Sequence, residues 1–568
     1  MLLKPKKPVS SSKLVVWITL IGFIVLVLLP TFYLISYVFL EWDEVRFEVF
    51  ENPIIGDENW KQMLKVLFFS FRLSFSTVIF DLIFGIPLAY ILARKNFPGK
   101  SLLEDIVTLP LVMPTSGFGF ATLITWTTVA GLGGVLGLNS GLIPLDAFIP
   151  LVNVPFIVFI VHVTLTFPYI VRTLATKFRS IDITYEVASR TLGANPLTTF
   201  RKILFPLSIP GIFSGSVLAF ARSLGETGAT IIVAGVSSTA SIAIVRWTSE
   251  FKLATASFMG SLLVIIAWII ILPVELYLGQ GKRSLNVPFV VPISLTNRIL
   301  KFENYVSKKL SRLKDLVPLF IVAVTVIVPI LAILNSVILY WSADPYTGKI
   351  EGGVWNQLFG PSQYFNILLR ATLTSIIVAL VSTFIALCIS IPLVFIIERK
   401  WYGPPIRSIL KIPLIIPTSS LGLSVLLLWV SQGFNLIGSG IWLIILTHIV
   451  FAVPVIVESM IAAYEGSDIS MYEDSARTLG ATAYNAIETV SLPLIKGGII
   501  TGFILAFTRS LGETGATFIV MGRDITVPAL VVNMVEALAI PAALFTSTYL
   551  IILSMFLLVI IRITTRGP

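Results

Sequence analysis

The chain has 568 residues, of which 56% are hydrophobic and only 12% are charged, and its mean hydropathy is +0.95. An ordinary soluble domain carries roughly 25% charged residues, so the composition excludes a water-soluble globular protein and predicts an integral membrane protein. The net charge of +10 does not indicate nucleic-acid binding, because the basic residues fall in short loops beside apolar segments.

Apolar segments long enough to cross a bilayer occur about twelve times along the chain, since a helix needs about 20 residues to span the hydrocarbon layer. In the first half they lie at 16–40, 65–93, 105–130, 149–173, 209–235 and 254–279. In the second half they lie at 316–341, 366–397, 408–432, 437–463, 496–521 and 539–562. We therefore expect an all-α membrane protein with six spans in each half. Prolines in the third span of each half, Pro110 and Pro114 in the first and Pro413 and Pro417 in the second, predict a kinked helix in the bundle interior.

The charges of the loops predict how the chain crosses the membrane. Lysines precede the first apolar segment, whereas the following loop at 41–61 is acidic. By the positive-inside rule the N-terminus is cytoplasmic. The alternation continues along the chain, so we expect a multi-pass protein with both termini in the cytoplasm.

Two stretches of the chain repeat each other at a constant separation of 287 residues. YEVASRTLGA at 185–194 returns as YEDSARTLGA at 472–481, and FARSLGETGAT at 220–230 returns as FTRSLGETGAT at 507–517. A constant offset indicates one unit duplicated without insertions or deletions. The sequence therefore predicts two homologous halves, 1–280 and 316–568, joined by a basic, amphipathic cytoplasmic linker at 281–315.

A charged loop precedes the fifth span of each half and contains the first repeated motif. Glu186 and Arg190 lie four residues apart, so they are expected to share one face of a short helix and to pair. Gly193 is expected to end that helix. The equivalent residues of the second half are Glu473, Arg477 and Gly480. Such loops suit the docking of a two-fold symmetric cytoplasmic partner.

At these loops the chain resembles the permease subunits of ATP-binding-cassette importers. The family signature is Glu-Ala-Ala, then a glycine, then Ile-x-Leu-Pro. The first copy reads EVA at 186–188, with Gly193 and ILFP at 203–206, and the second reads EDS at 473–475, with Gly480 and VSLP at 490–493. Glutamate, glycine and proline occur in both copies, whereas the second copy departs from the family at both alanines.

The resemblance implies the type I importer transmembrane fold in a prokaryotic cell membrane. It also implies two copies of a cytoplasmic ATPase and an extracellular or lipid-anchored solute-binding protein as partners. The chain would be a non-catalytic subunit without metal or cofactor, since ATP and Mg would bind the ATPase. ATPase coupling is then assigned to Glu186, Ala188, Arg190, Gly193, Glu473, Arg477 and Gly480. The alternative for the two glutamates is an ordinary surface ion pair.

The second repeated motif, RSLGETGAT, places charges deep in the fifth span. Arg222 lies 16 residues after Pro206, and Glu226 is expected one helical turn further along the same helix. Charges at this depth are costly in lipid, so these residues and their copies Arg509 and Glu513 are predicted to line the translocation pathway or its gate. The alternative is a structural intrahelical salt bridge.

This motif, together with the Pro-rich third span, is similar to the permeases for sulfate, molybdate and tungstate. Ferric iron, polyamine, phosphate and sugar remain alternative cargoes. A secondary transporter with internal repeats is an alternative class, although it has no use for two exposed docking loops. For the two histidines, His162 and His448, a hydrogen bond between helices is favoured over a metal or proton-relay role.

Overall fold

The computed structural model describes residues 10–52, 56–235, 237–279, 301, 303, 305, 313–431 and 433–565. Apart from a two-residue hairpin of Phe148–Ile149 with Val154–Pro155, the regular structure of these residues is helical. The helices of the first half are α1 Leu14–Leu40, α2 Glu58–Arg94, α3 Lys100–Val112, α4 Thr115–Thr127, α5 Phe156–Ser180, α6 Thr184–Thr191, α7 Pro196–Leu224, α8 Gly228–Val233, α9 Ala240–Ser249 and α10 Leu253–Gly279.

The second half repeats this order of helices. They are α11 Leu316–Leu339, α12 Tyr364–Arg399, α13 Gly403–Ile415, α14 Thr418–Val430, α15 Ile441–Glu465, α16 Ile469–Thr478, α17 Tyr484–Gly512, α18 Gly515–Val520, α19 Val527–Glu536 and α20 Ile540–Thr565. Short additional helices, Trp42–Arg46 and Val354–Phe359, follow the first span of each half. The duplication seen in the sequence is therefore a duplication of structure.

Within the described residues, ten helices are long and apolar enough to cross a membrane, and the count rises to twelve if each of two bent pairs is one span. All twelve predicted segments coincide with one of these helices or bent pairs. The predicted all-α fold with about twelve spans is confirmed. The fifth span of each half is misplaced, because α7 runs over Pro196–Leu224 and α17 over Tyr484–Gly512, whereas the predicted segments are 209–235 and 496–521.

The third span of each half is a bent pair. Helices α3 and α4 meet at 109°, and α13 and α14 meet at 101°. The breaks fall at Pro114 and Pro417, whose backbones are non-helical, with ψ of 127° and 133°. Proline cannot donate the helical hydrogen bond and crowds the preceding turn, so it fixes the position of each break. The kinks predicted from these prolines are confirmed.

Each half is built on three mutually packed helices, α2, α5 and α7 in the first half and α12, α15 and α17 in the second. Small residues allow this close approach. A Cβ on Gly498 of α17 would lie 2.8 Å from the backbone oxygen of Ser459 in α15. Interfaces of this kind are typical of membrane helices, where packing rather than water exclusion drives association.

The first span of each half packs on the other half. Helix α1 lies against α12, α14 and α15, and α11 lies against α2 and α4. Hydrogen bonds join the exchanged helices to their hosts: Ser424 of α14 donates to the carbonyl of Pro30, and Ser336 of α11 donates to the carbonyl of Ala130 at 2.8 Å. The first span of each predicted half is thus exchanged onto helices of the other half, and the cavity described below is lined by described residues of both.

Most of the linker predicted at 281–315, including its basic amphipathic segment, lies outside the described residues. Glu303 is described and is buried against the first half. It accepts hydrogen bonds from the Thr198 hydroxyl at 2.6 Å and from Arg201 Nε at 2.5 Å. This part of the linker is therefore attached directly beside the first charged loop.

Candidate functional site

The glutamate of the first charged loop points into the protein. Glu186 lies in α6 and is only 4% exposed. Its carboxylate is 2.6 Å from Nε of Arg94, the last residue of α2. The expected pair with Arg190 is wrong, because Arg190 is exposed and instead donates to the Tyr90 hydroxyl at 3.4 Å. The glutamate therefore fastens α6 to the end of a membrane span.

The second loop repeats this arrangement. Glu473 is 5% exposed and pairs with Arg399 at the end of α12, while Ser491 donates a hydrogen bond to the same carboxylate. Arg477 is exposed, and no ion pair of Arg477 occurs among the residues that the structure describes. The predicted Glu473–Arg477 pair is therefore also wrong.

Arg94 and Arg399 are functional candidates that the sequence does not single out, because they count there only among the basic residues that mark the cytoplasmic side. Each lies eight residues after the first residue of the repeated Ile-Pro-Leu motif that begins at Ile86 and at Ile391. This equal spacing in the two halves is the sequence signal that could have identified the two arginines. A local pair at four-residue spacing is worth only about 0.3–0.5 kcal/mol, so a buried tertiary partner readily displaces it.

A large apolar side chain projects into solvent directly after each loop helix. Leu192 is 89% exposed and Leu479 is 90% exposed, each directly before the glycine that ends the helix. Gly193 and Gly480 have φ of 88° and 97°, in the left-handed region that only glycine adopts without strain. Ala188 lies exposed on α6. Each loop thus offers a preformed apolar knob, held in place by the buried Glu–Arg pair beneath it.

Asp182 fixes the start of α6. Its carboxylate accepts from the backbone N–H of Thr184 at 2.9 Å and from the Thr184 hydroxyl at 2.7 Å. The backbone hydrogen bond, followed by the hydroxyl bond, lowers the pKa of Asp182 from its ordinary value. The first loop helix is therefore capped by a group that stays ionised at neutral pH.

The RSLGETGAT motif breaks the fifth span. Helix α7 ends at Leu224 and α8 begins at Gly228, so Glu226 lies in the break and not one turn along a continuous helix. Its carboxylate is 2.5 Å from Arg222 and also accepts from the N–H of Ala229 at 2.9 Å. The expected continuous helix through the motif is wrong, since Gly225 ends α7.

The second copy of the motif has a different ion-pair pattern. Glu513 accepts from the N–H of Ala516 at 3.2 Å, as its first-half copy does. Arg509, however, lies over the ring of Phe451, 5.2 Å from its centroid. Within the part of the chain that the structure describes, Arg509 forms no ion pair. The two halves have the same backbone and unequal electrostatics.

The two broken spans meet across the interface between the halves. A Cβ placed on Gly228 would lie 2.6 Å from the side chains of Thr115 and Thr514, and one on Gly515 would lie 2.7 Å from Thr227. Each loop therefore touches the equivalent loop of the other half with no room for a side chain. This contact forms a tight glycine–threonine layer, which we call the contact layer.

A cavity of about 290 Å³ lies against the contact layer. Its walls come from both halves and include Arg222, Glu226, Arg509 and Glu513. The structure therefore brings together all four residues that the sequence predicts for the pathway or gate. Their role in translocation stays a prediction.

The two histidines join the helices around each break. His162 of α5 bonds through its ring nitrogens to Ser223 at 2.8 Å and to Thr230 at 3.0 Å. His448 makes the equivalent contacts with Ser510 at 2.6 Å and Thr517 at 2.9 Å. The predicted helix-to-helix hydrogen bonds are confirmed. Each histidine bridges the helix before the break to the short helix after it, and so holds the broken geometry.

Comparison with known proteins gives the family. Residues 85–280 match the model for the binding-protein-dependent transport system inner membrane component. The molybdate/tungstate transport system permease protein of Pyrococcus abyssi is 30% identical over 207 residues, which are 36% of this chain and 75% of that protein. The molybdenum transport system permease protein of Escherichia coli is 37% identical over 178 residues, which are 31% of this chain and 73% of that protein.

A probable sulfate transport system permease protein of Helicosporidium is 29% identical over 214 residues, covering 36% of this chain and 74% of that protein. Each relative thus aligns over about three quarters of its own length but over only about a third of this chain. A chain of two permease-like halves accounts for this difference. The chain belongs to the family of binding-protein-dependent transport system inner membrane components.

Proposed function

We propose that this chain provides both halves of the translocation pathway of an ATP-binding-cassette importer for a tetrahedral oxyanion such as molybdate, tungstate or sulfate. The observation that carries the proposal is the cavity between the halves, which both copies of the Arg–Glu motif line and which the contact layer bounds. A symmetric pair of broken helices around a central cavity is suited to rigid-body alternating access, with the contact layer as a gate.

Energy for transport would come from two copies of a separate cytoplasmic ATPase. Leu192 and Leu479 are large apolar side chains that project from rigid, glycine-terminated helices. An exposed apolar group on a preformed scaffold suits insertion into a pocket of a partner. Because Glu186 and Glu473 tie these helices to α2 and α12, movement of the ATPases would pass directly to the membrane spans.

The proposed orientation places both loops and both termini in the cytoplasm, in a prokaryotic cell membrane. Arg190 of α6 and Arg201 and Lys202 at the start of α7 then lie on the cytoplasmic side, in agreement with the positive-inside rule. A solute-binding protein would dock on the opposite face. ATP and Mg would bind only the partner ATPase.

Oxyanion cargo is supported by the three arginines that line the cavity, Arg172, Arg222 and Arg509, and by the similarity to permeases of molybdate/tungstate, molybdenum and sulfate transport systems. Ferric iron, polyamine, phosphate and sugar are the alternative cargoes. Membership of a binding-protein-dependent family disfavours the secondary-transporter alternative.

The test is reconstitution of this chain in lipid nanodiscs with the ATPase encoded beside it. ATP hydrolysis is measured with binding protein loaded with tungstate, molybdate, sulfate, phosphate or a sugar. We expect binding protein loaded with an oxyanion to stimulate ATP hydrolysis. This stimulation should be lost in the Leu192→Asp/Leu479→Asp double variant. Leu151→Asp is the matched control, because Leu151 is 94% exposed in the loop between α4 and α5. Stimulation only by another cargo, or association with no ATPase, would contradict the proposal.

A further inference from the structure

The two arginines of the repeated motif differ in how their charge is compensated. Arg222 is paired with Glu226 at 2.5 Å. Arg509 instead lies over Phe451 at 5.2 Å, which covers one face of the guanidinium and leaves its in-plane N–H donors available. The first-half position equivalent to Phe451 is Leu165, which offers no π face. The sequence thus explains why only the second copy holds its arginine away from the neighbouring glutamate.

The cavity walls contributed by α5 and α15 are also unequal. Tyr169 and Arg172 of α5 line the cavity. The offset of 286 residues that relates the two histidines and Pro168 to Pro454 makes Val455 and Glu458 their counterparts in α15. Val455 lines the cavity, whereas Glu458 is paired with Arg407 at 3.3 Å. The first half therefore presents a phenol and a cation where the second presents an apolar wall.

Arg172 and Arg509 are the two cavity-lining arginines without an ion pair among the described residues. Glu226 and Glu513 also line the cavity, where Glu226 pairs with Arg222 and Glu513 accepts from the N–H of Ala516 at 3.2 Å. Three arginines against two glutamates leave the cavity with an excess of positive charge, and its two arginines without an ion pair in the described part of the chain stand at non-equivalent positions of the two halves. A cation in a partly dehydrated cavity gains from an anionic ligand, because the low local dielectric strengthens the attraction.

We propose that Arg509 and Arg172, with the Tyr169 hydroxyl, form a single, asymmetric transit subsite for a tetrahedral oxyanion dianion. The inference rests on the proposed function and deepens it, because it assigns the cargo contact to non-equivalent residues of the two halves of a pseudo-symmetric pathway. Arginine suits this ligand, since its planar fork of N–H groups matches two oxygens of an oxyanion. Arg222 is not part of the subsite, because its charge is already compensated.

The experiment measures uptake of labelled molybdate, tungstate or sulfate into proteoliposomes that contain the whole complex, with receptor-stimulated ATP hydrolysis measured in parallel. Thr508 lines the cavity next to Arg509. Thr508→Asp places an anion in the subsite without removing any arginine, and Thr508→Asn is the matched neutral control. Arg172→Gln and Arg509→Gln remove the cations, Arg509→Lys retains the charge, and Lys496→Gln removes an exposed cation of the same helix α17.

We expect Arg172→Gln, Arg509→Gln and Thr508→Asp to lower the number of ions taken up per ATP by about tenfold or more, as loss of a charged hydrogen bond implies. Co-purification of the ATPase and of the binding protein with each variant in wild-type amounts excludes misfolding and loss of docking. Thr508→Asn and Lys496→Gln retain most of the uptake, whereas Arg509→Lys, which keeps the charge but loses the planar fork, lowers it less than Arg509→Gln does. Unchanged uptake per ATP in Arg509→Gln and Thr508→Asp overturns the subsite alone. Failure of the wild type to import any oxyanion overturns the proposed function and the subsite with it.

Discussion

The buried ion pair beneath each loop helix predicts that an arginine in a membrane span controls ATPase docking as strongly as the loop glutamate does. In the first half, Arg94→Gln and Glu186→Gln each leave one charge buried without its partner. Both variants should loosen α6 from the end of α2, although only Glu186 belongs to the loop motif. A glutamate that acted by direct contact with the ATPase would make Arg94 dispensable.

The expected size follows from the exposure of the two side chains. Breaking a fully buried pair costs about 3–5 kcal/mol. The Arg94 and Glu186 side chains are 12% and 6% exposed, so some solvent screening remains and a cost of about 2–3 kcal/mol per single variant is expected. The double variant leaves no unpaired charge, so it should be less impaired than the sum of the single variants by about 1–2 kcal/mol.

The assay is the dissociation constant of the purified ATPase for this chain in nanodiscs, where each 1.4 kcal/mol is a factor of about ten. Lys202→Gln is the control, because Lys202 is an exposed cation near the start of α7 to which no coupling role is assigned. It should change the constant less than about threefold. Wild-type ATPase binding by Arg94→Gln together with lost binding by Glu186→Gln would contradict this prediction. Additive losses of binding free energy in the double variant would contradict it as well.

Three further outcomes follow from the packing. Gly228→Val should abolish uptake, because its Cβ would lie 2.6 Å from the side chains of Thr115 and Thr514, whereas Gly497→Ala, with nothing within 4 Å, should be silent in the same uptake assay. His448→Leu removes one hydrogen-bond partner from each of two buried hydroxyls, which keep weaker contacts with Ser382 and the Glu513 carbonyl, and should cost about 1–3 kcal/mol, measured as a lower thermal midpoint in detergent. Glu303→Gln removes the ion pair with Arg201 and should speed hydrogen exchange of the amides at 196–204, with no change at 483–491.

The span positions and the kinks could be predicted because they depend on local properties. About 20 apolar residues suffice to define a membrane helix, and Pro114 and Pro417 lack the N–H that a continuous helix requires. Gly193 and Gly480 end their helices because φ near 90° is open only to glycine. Each of these outcomes is decided within a few residues of the chain.

Side-chain pairs could not be predicted where a residue distant in the sequence competes with a near one for the same partner. Glu186 has Arg190 at helical spacing, yet it pairs with Arg94, which lies 92 residues earlier. The exchange of α1 and α11 between the halves has no local signal, since an apolar helix fits either half. The break at Gly225 was missed because hydropathy does not distinguish a continuous helix from two short ones separated by a polar loop.

The contacts that hold each half together are duplicated, whereas the residues in and around the cavity differ between the two copies. The pairs that hold the frame are the same in both halves: Glu186 with Arg94 matches Glu473 with Arg399, and both histidines bridge a break. The differences collect in and around the cavity, where Phe451 replaces its first-half counterpart Leu165 beneath Arg509, and Val455 replaces Tyr169 in the cavity wall. Three unpaired arginines in so small a cavity would repel one another and bind a dianion too tightly to release it. Because Glu226 pairs with Arg222, fewer cations of the cavity are uncompensated. The oxyanion therefore has one place to bind, and the weaker electrostatic attraction allows it to leave.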